Sequence, residues 1–66
     1  MDATQKEQAT EFSRRRNLPG AYVEHLDGGK RSMTVVIKVN GVQVASKTTV
    51  YKRGKVSSEL YILPAI

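Results

Sequence analysis

Three short runs of cations, Arg14-Arg15-Arg16, Lys30-Arg31 and Lys52-Arg53-Gly54-Lys55, are the residues of this sequence whose types and spacing suggest chemistry. Lys38 and Lys47 stand between the second run and the third. Clustered lysines and arginines neutralise phosphate oxygens. Each phosphate neutralised releases condensed counterions, so binding of this kind weakens steeply with salt. The same cations at turns and helix ends also serve solubility alone. The balance of charge favours phosphate: eleven Lys and Arg against six Asp and Glu leave a net charge of +5. The charge is also uneven. Residues 1–12 sum to −2 (Lys6 against Asp2, Glu7 and Glu11), while residues 13–66 sum to +7 (ten cations against Glu24, Asp27 and Glu59).

Other chemistries are poorly served. The chain has no cysteine, which excludes a disulfide framework, a thiolate zinc site and a cysteine nucleophile together. Its one histidine, His25, follows Glu24 in a strand-like stretch, and no serine stands in a nucleophile-elbow context. Gly28-Gly29 lacks the spacing of a phosphate-cradling loop. The expectation is a binding protein and not an enzyme, with no catalytic residue, no metal and no cofactor.

Sixty-six residues make a single domain, 1–66, with residues 1–12 readable as a flexible acidic extension. No apolar run approaches the ~20 residues of a membrane span, and the acidic, polar start is unlike a secretion signal. An intracellular protein, neither membrane-bound nor secreted, is expected. A core this small supplies only ~3–5 kcal/mol, and without disulfides a homodimer is one way to add to it.

The elements that must position the cations follow from periodicity. Residues 4–17 read as a helix, with Asp2 and Gln5 spaced as a capping box, basic residues in the last turn, and a stop at Leu18-Pro19-Gly20. Its apolar stripe is thin, Ala9 and Phe12. From Ala21 the period becomes two: a strand over 21–26 ends at Asp27-Gly28-Gly29. Met33 to Val39 and Val42 to Val50 then alternate about Asn40-Gly41, a pair suited to a turn needing two positive φ angles. A two-residue loop pairs Val39 with Val42, Ile37 with Val44 and Val35 with Ser46, leaving Lys38 and Lys47 together on the other face. Residues 51–56 read as a second turn, and 59–63 as a final strand, with a short helical turn at 57–61 as the alternative. The fold class is α+β, an N-terminal helix packed on a small three- or four-stranded antiparallel sheet. The expected core is Val23, Met33, Val35, Ile37, Val39, Val42, Val44 and Val50, with Leu60 or Ile62 and Phe12.

This order of elements resembles the first two-thirds of a double-stranded-RNA-binding domain. The matching residues are the basic Leu-Pro segment Arg14-Arg15-Arg16-Asn17-Leu18-Pro19, the strand Ala21-Tyr22-Val23, and Met33-Thr34-Val35-Val36-Ile37-Lys38-Val39-Asn40-Gly41. The resemblance covers residues 9–45 and has no counterpart for that family's alanine-rich second helix. It implies recognition of duplex RNA by shape. The stretch also resembles the three-stranded arm-binding domain of phage integrases, which implies a sheet face in a DNA major groove read by Lys38, Gln43 and Lys47.

The leading expectation is a small accessory or regulatory protein that contacts backbone phosphates of DNA or RNA. Arg14, Arg15, Arg16, Lys30, Arg31, Lys38, Lys47, Lys52, Arg53 and Lys55 are its candidate contacts. Tyr22, Tyr51 and Tyr61 are either stacking platforms for bases or strand packing. The alternative is an assembly module, such as a small inhibitor or a homo-oligomer, that uses unpaired sheet edges and the apolar tail at residues 61–66.

Overall fold

The computed structural model describes residues 3–65. One helix, α1 (Ala3–Arg16), precedes four strands, β1 (Ala21–Asp27), β2 (Ser32–Val39), β3 (Val42–Lys52) and β4 (Lys55–Ile62). The strands form one antiparallel meander in the order β1-β2-β3-β4, and α1 lies on one face of it. This is the expected α+β arrangement, with the four-stranded alternative realised. The capping role expected of Asp2 lies outside the described residues, as does Ile66 at the end of the tail.

Helix α1 is built from good helix formers. It closes through Asn17, whose side-chain amide donates to the Ser13 carbonyl at 3.0 Å. The Leu18 N–H donates to the Arg15 carbonyl and the Ala21 N–H to the Leu18 carbonyl, and Gly20 (φ +78°) turns the chain into β1. Ala9 and Phe12 of α1 pack on the sheet.

The β2–β3 hairpin turns at Asn40-Gly41 with φ of 52° and 79°, as its sequence requires. Val39 pairs with Val42 as expected, but a β-bulge then inserts Val44, so that Ile37 faces Ala45 and Val35 faces Lys47. The expected pairs Ile37–Val44 and Val35–Ser46 are therefore displaced by one residue. A one-residue displacement exchanges faces for everything beyond it. Ser46 moves to the open face opposite Val36, and Lys47 moves under the helix. The bulge lets consecutive residues Val44 and Ala45 both be buried. The second turn is also tighter than expected: β3 runs to Lys52, β4 starts at Lys55, and the helical alternative at 57–61 is not formed.

The core consists of Phe12, Ile37, Val44, Ala45 and Tyr61, flanked by Ala9, Ala21, Val23, Val35, Val39 and Leu63. Phe12 meets Tyr61 edge-on, with ring centroids 5.7 Å apart, and the Lys47 ammonium sits 5.5 Å from the Phe12 ring centre. Burial of the Tyr61 phenol, with Glu59 beside it, holds its pKa above the ordinary value. Five residues expected in the core, Met33, Val42, Val50, Leu60 and Ile62, are instead exposed. A single helix covers only the middle of one sheet face, so these five, at the hairpin ends or on the far face, stay in water, while Val36 and Ser46 on the far face are buried. Of the apolar tail, Tyr61 and Leu63 close the chain's own core.

Arg15 joins the parts. It is only 7% exposed, and its Nε donates to Glu11 at 2.7 Å. Its Nη1 donates both to the carbonyl of the bulge residue Val44 at 2.7 Å and to that of Pro64 at 2.5 Å. Replacing Arg15 by Ala removes all three bonds and leaves two carbonyls unanswered. The Arg15→Ala variant is expected to lose about 2–4 kcal/mol in urea unfolding, whereas Arg16→Ala stays within about 0.5 kcal/mol. Glu11 also receives both Arg14 and Arg15, and the hydrogen bonds from Arg14 and then Arg15 lower its pKa from 4.5 to about 2. A lowered folded-state pKa means that this contribution to stability is complete above pH 4.5 and is lost as the pH falls towards 2. Glu11→Gln should therefore flatten the stability curve in that window, measured by urea midpoints at successive pH values.

Candidate nucleic-acid interface

Antiparallel strands place their connections at two ends, and this sorts the cations. The loop 28–31 between β1 and β2 and the turn Arg53-Gly54 between β3 and β4 share one end. Strand β1 begins opposite Val39, so the end of α1 lies beside the Asn40-Gly41 turn at the other end. Eight-residue strands separate the two ends by roughly 25 Å. Two of the three basic clusters therefore meet, and Arg14-Arg15-Arg16 does not join them.

The meeting is held by specific bonds. The Tyr51 N–H donates to the Arg31 carbonyl at 2.6 Å, tying the first loop to the end of β3. Within the loop, the Gly28 N–H donates to the Ser32 carbonyl at 3.2 Å and the Ser32 hydroxyl to the Gly28 carbonyl at 3.1 Å. The Asp27 carboxylate accepts from the Gly29 N–H at 2.9 Å. A Cβ on Gly28 would run into the Ser32 hydroxyl, so any larger residue there displaces the hydroxyl from the Gly28 carbonyl. Lys30 and Arg31 are thus carried on a loop with few degrees of freedom.

Lys30, Arg31, Lys52 and Arg53 line an open cleft of about 570 Å³ together with Val50, Tyr51 and Ser57. A second depression of about 530 Å³ continues along β4 past Lys55. All five cations are exposed, and among the described residues none of them makes an ion pair. The other five expected contacts are placed differently. Arg14 forms two bonds to Glu11, at 2.8 and 2.6 Å, which raise its pKa. Arg15 is buried in the joint described above. Lys38 pairs with Glu24 at 3.2 Å on the open sheet face. Lys47 lies under the helix against Phe12, so Lys38, Gln43 and Lys47 do not form one reading face. Arg16 is exposed but stands at the far end.

Sequence reasoning weighed Tyr51 for stacking without a location, and it missed Ser57 as a lining residue. Ser57 enters because a second bulge lies there: Val50 pairs with Ser58 but Tyr51 with Val56, leaving Ser57 as the extra residue. Nothing in local periodicity signals such a shift. Among the described residues, no helix is long and apolar enough to cross a membrane. No family model, curated protein or solved structure matches the chain.

Arg53 occupies the first position of a tight turn at φ 55°, followed by Gly54 at 77°. A side chain with a Cβ is strained in this left-handed region by roughly 1 kcal/mol, and Asn tolerates it best. Arg53→Asn should therefore raise the free energy of unfolding by about 0.5–1 kcal/mol, read as a higher urea midpoint, even though it removes a cation from the cleft.

Proposed function

We propose that this chain is a small nucleic-acid-binding protein, accessory or regulatory and without catalytic activity. It neutralises backbone phosphates with Lys30, Arg31, Lys52, Arg53 and Lys55. One observation carries the reading: two loops distant in sequence bring to one end of the sheet five exposed cations that make no ion pair among the described residues. Phosphates recur along a nucleic acid at short, regular spacing, so a row of cations across the end of a sheet matches a strand or a groove edge without reading bases. The strained Arg53 fits a residue placed for contact and not for folding. Tyr51, at the wall of the same cleft, is available to stack on an unpaired base. The intracellular location expected from composition is consistent with such a partner and belongs to the proposal.

A second reading, self-association as a homodimer or assembly module, is favoured by a different observation: the sheet face opposite α1 exposes Tyr22, Leu26, Leu60 and Ile62.

Fluorescence anisotropy with random-sequence duplex DNA, duplex RNA and single strands tests the phosphate reading. If all five cations engage, affinity falls roughly 10²–10³-fold between ~50 and ~200 mM salt. The Lys52→Glu, Arg53→Glu double variant should bind at least ~10-fold more weakly at the lower salt, while Arg16→Glu stays within about twofold. Preference for duplex RNA would favour the RNA-binding-domain resemblance, and preference for duplex DNA the integrase one. Absence of binding to all probes at ~50 mM salt would overturn the proposal.

A further inference from the structure

We infer that the partner of the basic end is an unpaired strand of nucleic acid, held with one of its bases stacked on Tyr51. The inference rests on the phosphate reading and narrows it from nucleic acid at large to a single strand. Register divides this end of the sheet into two sides. Lys52 and Lys55 are cross-strand partners and share with Val50 the face away from α1. Tyr51 pairs with Val56 on the α1 side, where Met33, opposite Thr49, stands diagonal to it. The helix leaves these three uncovered: Tyr51 is 36% exposed, Met33 40% and Val56 55%. The Arg31 carbonyl accepts from the Tyr51 N–H at 2.6 Å, so the loop that carries Lys30 and Arg31 flanks the aromatic residue.

Three features select an unpaired strand. The first is the opposed lysines. Like charges directly across a rung destabilise a sheet, and neither Lys52 nor Lys55 makes an ion pair among the described residues. An anion between them removes that cost. The second is the division of the end into two sides. A ligand that uses both must lay an anion on one side and a flat apolar group on the other. In an unpaired nucleotide the phosphate and the base are joined through rotatable bonds and can do so, and bases stack on exposed aromatic rings in this way. In a duplex the base faces are stacked inside, and a persistence length of ~150 bp keeps the duplex from bending round the end of a small sheet. Inorganic phosphate leaves Tyr51 unused. The third feature is size. Strands β2, β3 and β4 lie abreast here, so their backbones alone span roughly 10 Å. Side chains widen this beyond a major groove ~12 Å across, and the bond from Tyr51 to Arg31 keeps the β3–β4 turn from projecting as a free two-stranded ribbon. The cleft of about 570 Å³ instead falls within the ~300–1,000 Å³ of pockets that enclose a small molecule, the scale of a nucleotide. Ser57, the extra residue of the β4 bulge, adds a hydroxyl to its lining.

The full chain is titrated at ~50 mM salt against three labelled probes of equal length, ~12 nucleotides: oligothymidylate, an abasic strand with the same sugar-phosphate backbone, and a duplex. Oligothymidylate is expected to bind ~5-fold or more tightly than either of the others, the contribution of one stacked base. Tyr51→Ala should bring oligothymidylate down to the abasic level and leave the abasic strand within about twofold, whereas Tyr51→Phe, which keeps the ring, stays within about twofold of the parent on both. Tyr22→Ala removes an exposed tyrosine near the other end of the sheet and should change nothing. Oligouridylate alongside oligothymidylate distinguishes an RNA strand from a DNA one, and tight binding of either supports the inference. If Tyr51→Ala loses its circular dichroism spectrum, the three probes against the parent chain decide alone. Equal affinity for oligothymidylate and the abasic strand, tighter binding of the duplex, or an equal loss on both strands in folded Tyr51→Ala would overturn the inference and leave the phosphate reading standing. Absence of binding to every probe would overturn both.

Discussion

A guanidinium that is 7% exposed has been taken out of water, and such a charge is tolerated only where its N–H groups are answered. Arg15 is answered by three different parts of the chain: the Glu11 carboxylate one turn back in its own helix, the carbonyl of the bulge residue in β3, and the carbonyl of Pro64 beyond β4. The helix has few apolar residues with which to grip the sheet, chiefly Ala9 and Phe12. Directional bonds from one buried cation therefore do what a wider apolar stripe does in larger domains. They also tie down the segment after β4, where Tyr61 and Leu63 lie against the core.

The bulge at Val44 is the second constraint, and it is coupled to the first. An inserted residue leaves a backbone carbonyl away from regular pairing, and Arg15 donates to that carbonyl. The displacement puts Val44 and Ala45 under the helix and sends Ser46 to the open side. It also delivers Lys47 to the face of Phe12, where its ammonium meets an aromatic ring. Charge and packing are thus allotted between the two faces by one extra residue.

The cations divide accordingly. Arg14, Arg15 and Lys47 are committed to the fold, through Glu11 or Phe12, and Lys38 is neutralised by Glu24. Those on the loops at the opposite end make no ion pair among the described residues and remain in water. The molecule therefore has a basic end, an open sheet face of mixed polar and apolar side chains, and a helix-covered core.

Local chemistry made much of this legible. Asn40-Gly41 determines its turn because both positions need positive φ, Leu18-Pro19-Gly20 stops the helix, and β-branched alternation from Val35 to Val50 requires a hairpin. The presence of basic clusters was also plain. What local pattern cannot contain is which side chain of a cation run turns inward, because Arg14, Arg15 and Arg16 are alike in type and differ only by 100° steps around the helix. Nor does alternation announce a bulge: the pattern Val42, Val44, Ser46 fits an unbroken strand, yet burying Val44 and Ala45 together requires a break. Composition and turn chemistry determined the elements, their order and the net charge. Tertiary packing decided the register, the uncovered face and the basic residues left free, since each depends on contacts between parts of the chain far apart in sequence.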